Sequence, residues 1–269
     1  MASYVLYLIS PDLRRRIARF QIVNETDVSR VHFPGESPSG GTACILASMQ
    51  PTHATSDMVY AEERLGPERL HGAYAWESVL QSGATALPFG SDWPTVGVVP
   101  PLLGIYAAIT REDLDGHPPG GWTPWEKVSR EHALRGYTMD AAFAGFQEKM
   151  IGSLAVGKYA DFIALDRDVL DAAATPDAQI WQAAVLGTWS GGEQAWAHPC
   201  WSAGRTGTLS EHAQRAHAGD AARSHVPRSL GALRQCVEAT RQAEAAANGE
   251  SELERFRRLA KVAGDGCPF

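Results

Sequence analysis

Two stretches of this sequence place a side chain capable of proton transfer or ligation just past an apolar run. In "ATALPFGSDWPTVG" the run leaves through Gly90 and Ser91 and delivers the carboxylate of Asp92 to a Gly/Pro loop. In "CILASMQPTHATSD" an apolar strand from Cys44 to Ala47 continues through Gln50 and Pro51 to the imidazole of His53. A carboxylate or an imidazole so placed can move protons, hold a metal or grip a substrate. Each also has a plain structural reading. Asp92 suits a cap on the turn into "WPTVG", and His53 suits a hydrogen-bonded loop histidine. Their recurrence on successive strand–helix units favours a shared site, because βα barrels build their active sites at the C-terminal ends of neighbouring strands.

Other reactive side chains lack such a setting. Ser91 is no nucleophile, because "FGSDW" lacks the second glycine of a G-x-S-x-G elbow. His32 and His117 lie in Gly/Pro loops, His71 precedes a helix, and His132 sits inside one. His212, His217 and His225 fall in a polar stretch without the spacing that puts two ligands on one helix face. "HPC", His198 to Cys200, matches no zinc pattern. The four cysteines, Cys44, Cys200, Cys236 and Cys267, contain no CxxC pair and read as reduced thiols of a cytoplasmic protein.

The elements that must position Asp92 and His53 follow from the apolar pattern. "CILASMQ" and "ATALPFG" read as buried strands, with Pro88 at a strand exit. "AYAWESVLQSG" reads as a helix with Trp76, Val79 and Leu80 on one face and Gly83 as its stop. "PLLGIYAAITRED" and "YTMDAAFAGF" read as further helices. "TPWEKVS" reads as a helix start, with Thr123 as N-cap, Pro124 at the first position and Glu126 as the capping-box acid. Strands alternating with helices imply a parallel sheet. From Met150 to Ala197 the pattern changes to glycine turns, the strand "ADFIALD" and a hairpin around Gly191-Gly192. Beyond His198 a polar stretch leads to Leu230, Leu233 and Val237, then Leu253, Phe256 and Leu259, at helical spacing on either side of Asn248-Gly249. The tail beyond Ala197 is expected to pack weakly on the core of the parallel strands, or not at all.

Composition bounds the function. The chain has 269 residues, 44% hydrophobic and 20% charged, enough for a real core. A net charge of -7 argues against a nucleic-acid or anionic-membrane partner. No apolar run approaches the length of a membrane span. "MASYVLYLIS" is a poor signal peptide, being short and without preceding basic residues.

"ILASMQPTHATSDM", "AYAWESVLQSGA…LPFGSDWP", "PLLGIYAAITR", "ALRGYTMDAAFAGF" and "GSLAVGKYADFIALDRD", in this order, resemble the C-terminal half of the amidohydrolase superfamily. The likeness is to the amidohydrolase-3 group that includes N-substituted formamide deformylases, and it covers roughly Arg14 to Ala197. It implies an α/β fold. Residues 14–148 would be part of a metal-dependent-hydrolase (β/α)8 TIM-type barrel, strands six to eight. Residues 149–197 would be part of a small composite β-sandwich, and 198–269 a linker and helical extension. It implies hydrolysis of a carbon–nitrogen bond other than a peptide bond, in a small amide or formamide, with a divalent metal, zinc in the first instance. Asp92 matches the aspartate that touches the metal or its water and shuttles the proton. His53 matches a histidine that contacts substrate. The "GSL…GK.ADF..LD" stretch carries no chemistry.

The resemblance also marks what is missing. The family's sixth-strand motif is usually Ile-Glu-His-Ala-Gln; here, in "RIARFQIV", Ile17 and Gln21 fit but Ala18, Arg19 and Phe20 replace the centre. Arg19 falls where a histidine ligand belongs, and a guanidinium has no lone pair for a metal. "VHFPGESPSGG" interrupts the helix that should follow. The chain therefore reads as a truncated, impaired family member that does not retain the metal. It has two rivals: a non-catalytic remnant acting through its C-terminal helices, and a half-barrel that completes its sheet with another chain through open edges.

Overall fold

The computed structural model describes residues 15–18, 23, 45–84, 86–93, 100–202, 230–250 and 254. Arg19, Phe20 and Gln21, the "VHFPGESPSGG" stretch, and the second C-terminal helix apart from Glu254 lie outside the described residues.

The protein is mixed α/β. Strand β1 (Arg15–Ala18) pairs in parallel with β2 (Ile45–Ser48), Arg15 opposite Ile45 and Ala18 opposite Ser48. The second apolar run joins β2 by a single parallel bridge, Met49 to Phe89. The expected strand Ala84–Phe89 is thus shortened to a bridge. Pro88 has no N–H to offer a ladder, and the Phe89 N–H donates to the Gly136 carbonyl at 2.9 Å instead of to a further strand.

The helices pack against this parallel layer. Helix α1 (Pro51–Leu70) begins at Pro51 and breaks at Gly66, just before Pro67. Helix α2 (Trp76–Gln81) buries Trp76 and Val79 as its pattern predicts, with Leu80 partly buried against the same core. Helix α3 (Pro101–Thr110) is buried from Gly104 onward. Helices α4 (Arg130–Tyr137) and α5 (Met139–Ala144) follow. Ser129 caps α4 by accepting from the His132 N–H at 3.1 Å.

The capping box expected at Thr123 does not form. Pro124–Glu126 is one tight turn, and Thr123 has left-handed backbone with no capping bond. Glu126 is buried and reaches α2 instead, its Oε2 accepting the Ser78 N–H at 2.9 Å and its Oε1 the Ser78 hydroxyl. The carboxylate so satisfies a first-turn N–H that α2 leaves open. Thr123 serves Arg111, which donates to its hydroxyl, to the Trp122 carbonyl at 2.6 Å and to the Tyr74 carbonyl at 3.0 Å. The Arg111 guanidinium stacks 4.3 Å from the Trp76 ring centroid. A fully buried cation is tolerable only with its donors so occupied, and burial pushes its pKa down to about 9.

Three phenols, the buried Tyr74 and Tyr106 and the partly buried Tyr137, have pKa values raised above the ordinary 10.0, mainly by desolvation; Tyr106 reaches about 12. A raised phenol pKa means that above pH 10 the unfolded chain gives up protons the folded chain keeps, so the stability is whole below pH 10 and falls above it. Urea denaturation is expected to show a falling midpoint between pH 10 and 12, and a flat midpoint there would contradict this assignment.

The second unit is a three-stranded antiparallel sheet of β3 (Phe162–Leu165), β4 (Val185–Ser190) and β5 (Glu193–Ala197), in that order. The β4–β5 turn uses Gly191 and Gly192, both at positive φ (59° and 87°), as a two-residue hairpin demands. After β5 come the short α6 (Pro199–Ser202) and then, among the described residues, α7 (Leu230–Asn248).

The described part of the tail docks on the small unit: Leu233 and Val237 of α7 are buried with Ala184, Leu186 and Cys200. Arg234 adds a bond to the Asp166 carbonyl at 2.9 Å, and Arg241 one to the Gln182 carbonyl. One expectation is overturned: the cysteines are not all reduced thiols, since Cys200 and Cys236 form a disulfide with Cα atoms 5.9 Å apart. The pair lies 36 residues apart, without a CxxC signature, so only docking of α7 reveals it.

Candidate functional site

Strand β2 is sealed on both faces. Leu46, Ala47 and Met49 are fully buried, and Gln50, at its exit, is buried too. Pro51 then starts α1, and the His53 N–H closes the first turn on the Gln50 carbonyl at 3.0 Å. His53 therefore stands in the first turn of a helix and not in the loop its sequence suggested. It is buried, and its Nε2 is shielded from solvent.

The run before Asp92 is clamped from two sides. Towards β2, the Met49 N–H donates to the Pro88 carbonyl at 3.0 Å and the Gly90 N–H to the Met49 carbonyl at 3.1 Å. Towards α4 and α5, the Leu87 N–H donates to Asp140 Oδ2 at 3.0 Å and the Phe89 N–H to the Gly136 carbonyl. The parallel bridge makes β2 and this run exit at the same end. There Asp92 takes up left-handed backbone, φ 60°, which Asp tolerates better than most residues. It is half-buried, with Oδ2 shielded from solvent.

The structure thus brings His53 and Asp92 to the same end of two adjacent, parallel-running segments, each three or four residues past the Met49–Phe89 bridge. Among the described residues, no three His, Cys, Asp or Glu side chains come together to hold a metal ion. The other described histidines lie elsewhere. His71 sits beside the Trp125 ring at 5.7 Å, His117 beside Asp113 at 3.8 Å, and His198 accepts from the Cys200 N–H at 3.1 Å.

Sequence reasoning missed Asp140 and Gly136, which fasten the backbone that carries Asp92. Asp140 falls in the first turn of α5, and nothing local marks it as a partner for a strand 53 residues away. Asp140→Ala removes the acceptor of a buried N–H, a loss of about 1–3 kcal/mol. Denaturant unfolding is expected to register that loss, and a change below about 0.5 kcal/mol would show that the bond matters little.

The comparisons with known proteins agree with the motif order. The family model described as "Amidohydrolase family" (Amidohydro_3) matches residues 43–195, more than half of the chain. Protein LONG AFTER FAR-RED 3 of Arabidopsis thaliana is 36% identical over 165 residues, 60% of this chain and 26% of that protein. Putative amidohydrolase YtcJ of Bacillus subtilis is 32% identical over 124 residues, covering 46% and 23% of the two chains. The N-substituted formamide deformylase of Arthrobacter pascens is 35% identical over 96 residues, covering 36% and 17%. The chain spans about a quarter or less of the length of these relatives. Among solved structures, a metal-dependent hydrolase from Pyrococcus furiosus is similar, at 30% identity and a TM-score of 0.45, over 58% of this chain and 29% of that one.

Proposed function

The chain belongs to the amidohydrolase family, and on that premise we propose that it carries one sector of a site for hydrolysing carbon–nitrogen bonds other than peptide bonds. Asp92 is its proton carrier and His53 its substrate contact. The observation that carries the reading is the parallel exit of β2 and the 86–90 run at one end, with His53 and Asp92 just beyond it. The same geometry supports a (β/α)8 TIM-type barrel for residues 14–148. The three-stranded sheet supports a sector of a β-sandwich for 149–197, with 198–269 as an extension docked on it through α7.

The chemistry asked of Asp92 is modest and specific. Its carboxylate takes a proton from the water whose oxygen bonds to the carbonyl carbon, and returns it to the amine nitrogen as the C–N bond breaks. His53, held by the first turn of α1, donates a hydrogen bond to the amide or formamide oxygen, where charge develops. The family's divalent metal supplies Lewis-acid polarisation when bound. A catalytic zinc takes three protein ligands, and the described residues do not by themselves fit it. No step is therefore assigned through it, and Asp92 is its only candidate ligand among them.

Two amine-release assays on N-substituted formamides test this. The chain as given, with zinc added, is expected to release nothing above background, because Asp92, the one candidate ligand among the described residues, cannot by itself hold a catalytic zinc. Residues 45–146 grafted in place of the matching segment of the Arthrobacter pascens deformylase are expected to sustain turnover. A folded but inactive graft would sink the reading, as zinc-dependent turnover by the chain alone would sink its impaired state.

A further inference from the structure

The disulfide between Cys200 and Cys236 joins two elements with very different surroundings. Cys200, in α6, is buried among Ala184, Leu186, Leu233 and Val237. Cys236, on α7, is an exposed residue at the edge of the face that carries Leu233 and Val237. The bond thus spans the seam where α7 covers the apolar surface of the small unit, and one of its two sulfurs belongs to a residue open to solvent.

Among the described residues, the buried side chains of Leu233 and Val237, bonds from Arg234 and Arg241 to the Asp166 and Gln182 carbonyls, and a Thr240–Cys200 contact at 3.4 Å hold the 19-residue helix. Helices gain most of their stability from packing rather than from propensity, so a covalent tie across this seam decides how firmly α7 stays docked. A link closing a loop of this size shifts such an equilibrium by about a hundredfold.

We propose that Cys200 and Cys236 form a reversible thiol–disulfide latch that controls docking of α7 on the small sheet, with a low-molecular-weight disulfide as its oxidant. In the oxidising direction the thiolate of the exposed residue Cys236 attacks one sulfur of the small disulfide and releases one small thiolate. The Cys200 thiolate then attacks the Cys236 sulfur of the mixed disulfide and releases the second. Two protein thiols lose two electrons and two protons, and one small disulfide becomes two thiols. In the reducing direction a small thiolate attacks Cys236 and Cys200 leaves as the thiolate; a second small thiolate then attacks the small-molecule sulfur of the mixed disulfide, freeing Cys236 and forming one small disulfide. Exposure on one side makes the bond reachable in both directions, the behaviour of labile rather than structural disulfides.

The test uses the full chain equilibrated in oxidised or reduced glutathione. Peptide mapping of the oxidised chain is expected to give one Cys200–Cys236 link per molecule. Hydrogen exchange of amides 237–242 is expected to be about a hundredfold slower in the oxidised chain, while amides 104–110 of α3 exchange alike in both states. Cys236→Ser in the oxidising buffer is expected to exchange like the reduced chain. Equal protection of α7 in the two states, links that run instead to Cys44 or Cys267, or a matching change in α3 that signals global unfolding would each overturn the latch.

Discussion

Asp92→Asn in the grafted deformylase is expected to lower amine release about a thousandfold, within the 10²–10⁴ range that a positioned proton carrier supplies. Asparagine keeps the shape and the hydrogen-bonding reach but cannot take or return a proton. It also tolerates left-handed backbone, which matters at φ 60°. The same substitution in the chain as given should therefore move its stability by less than about 0.5 kcal/mol. Asp92→Ala provides the contrast, since alanine has no local hydrogen bond to offset the left-handed strain and should cost roughly 1–2 kcal/mol in addition to activity. Steady-state amine release and urea unfolding on the two variants separate the roles. If Asn retains most of the graft's rate, Asp92 is a turn residue and its match to the family aspartate is formal only.

Gly136→Ala is expected to destabilise the chain by about 1–3 kcal/mol, although the same change in an open helix would stabilise it by about 0.5–1 kcal/mol. The sign reverses because α4 lies directly against the run that carries Asp92. A Cβ at Gly136 would come within 2.5 Å of Phe89 Cδ2 and 3.0 Å of the Leu87 carbonyl oxygen. Phe89 is itself wedged between the rings of Trp76, 6.0 Å away, and Tyr137, 5.8 Å away, so it has little room to yield. Nor can the carbonyl retreat cheaply, because the Phe89 and Leu87 N–H groups are tied to Gly136 and Asp140. The helix must move off the strand, and the Phe89–Gly136 bond lengthens with it. Gly145→Ala is the control: its Cβ would meet nothing closer than 3.5 Å and its φ is ordinary, so unfolding should be unchanged or slightly later. A Gly136→Ala chain as stable as its parent would show that α4 stands further from the strand than described.

Local pattern carries much of this protein. The buried strand at β2, the apolar faces of α2 and α3, the Gly191-Gly192 hairpin and the face formed by Leu233 and Val237 are periodicities and turn chemistry that a chain expresses without knowing its neighbours. The order of motifs carried the family as well, and with it the notice given to Asp92 and His53. What local pattern cannot carry is partnership between distant residues. Glu126 looks like a capping-box acid from its spacing, yet it caps α2, because the turn it sits in folds over Ser78. Asp140 and Gly136 are ordinary helix residues in sequence and become the fastening of the Asp92 run because α4 and α5 lie along its flank and accept its N–H groups. Cys200 and Cys236 have no shared motif; packing of α7 brings them together. In each case the deciding energy is the desolvation of a polar or apolar group by an element far along the chain, and that element's position exists only in the folded molecule.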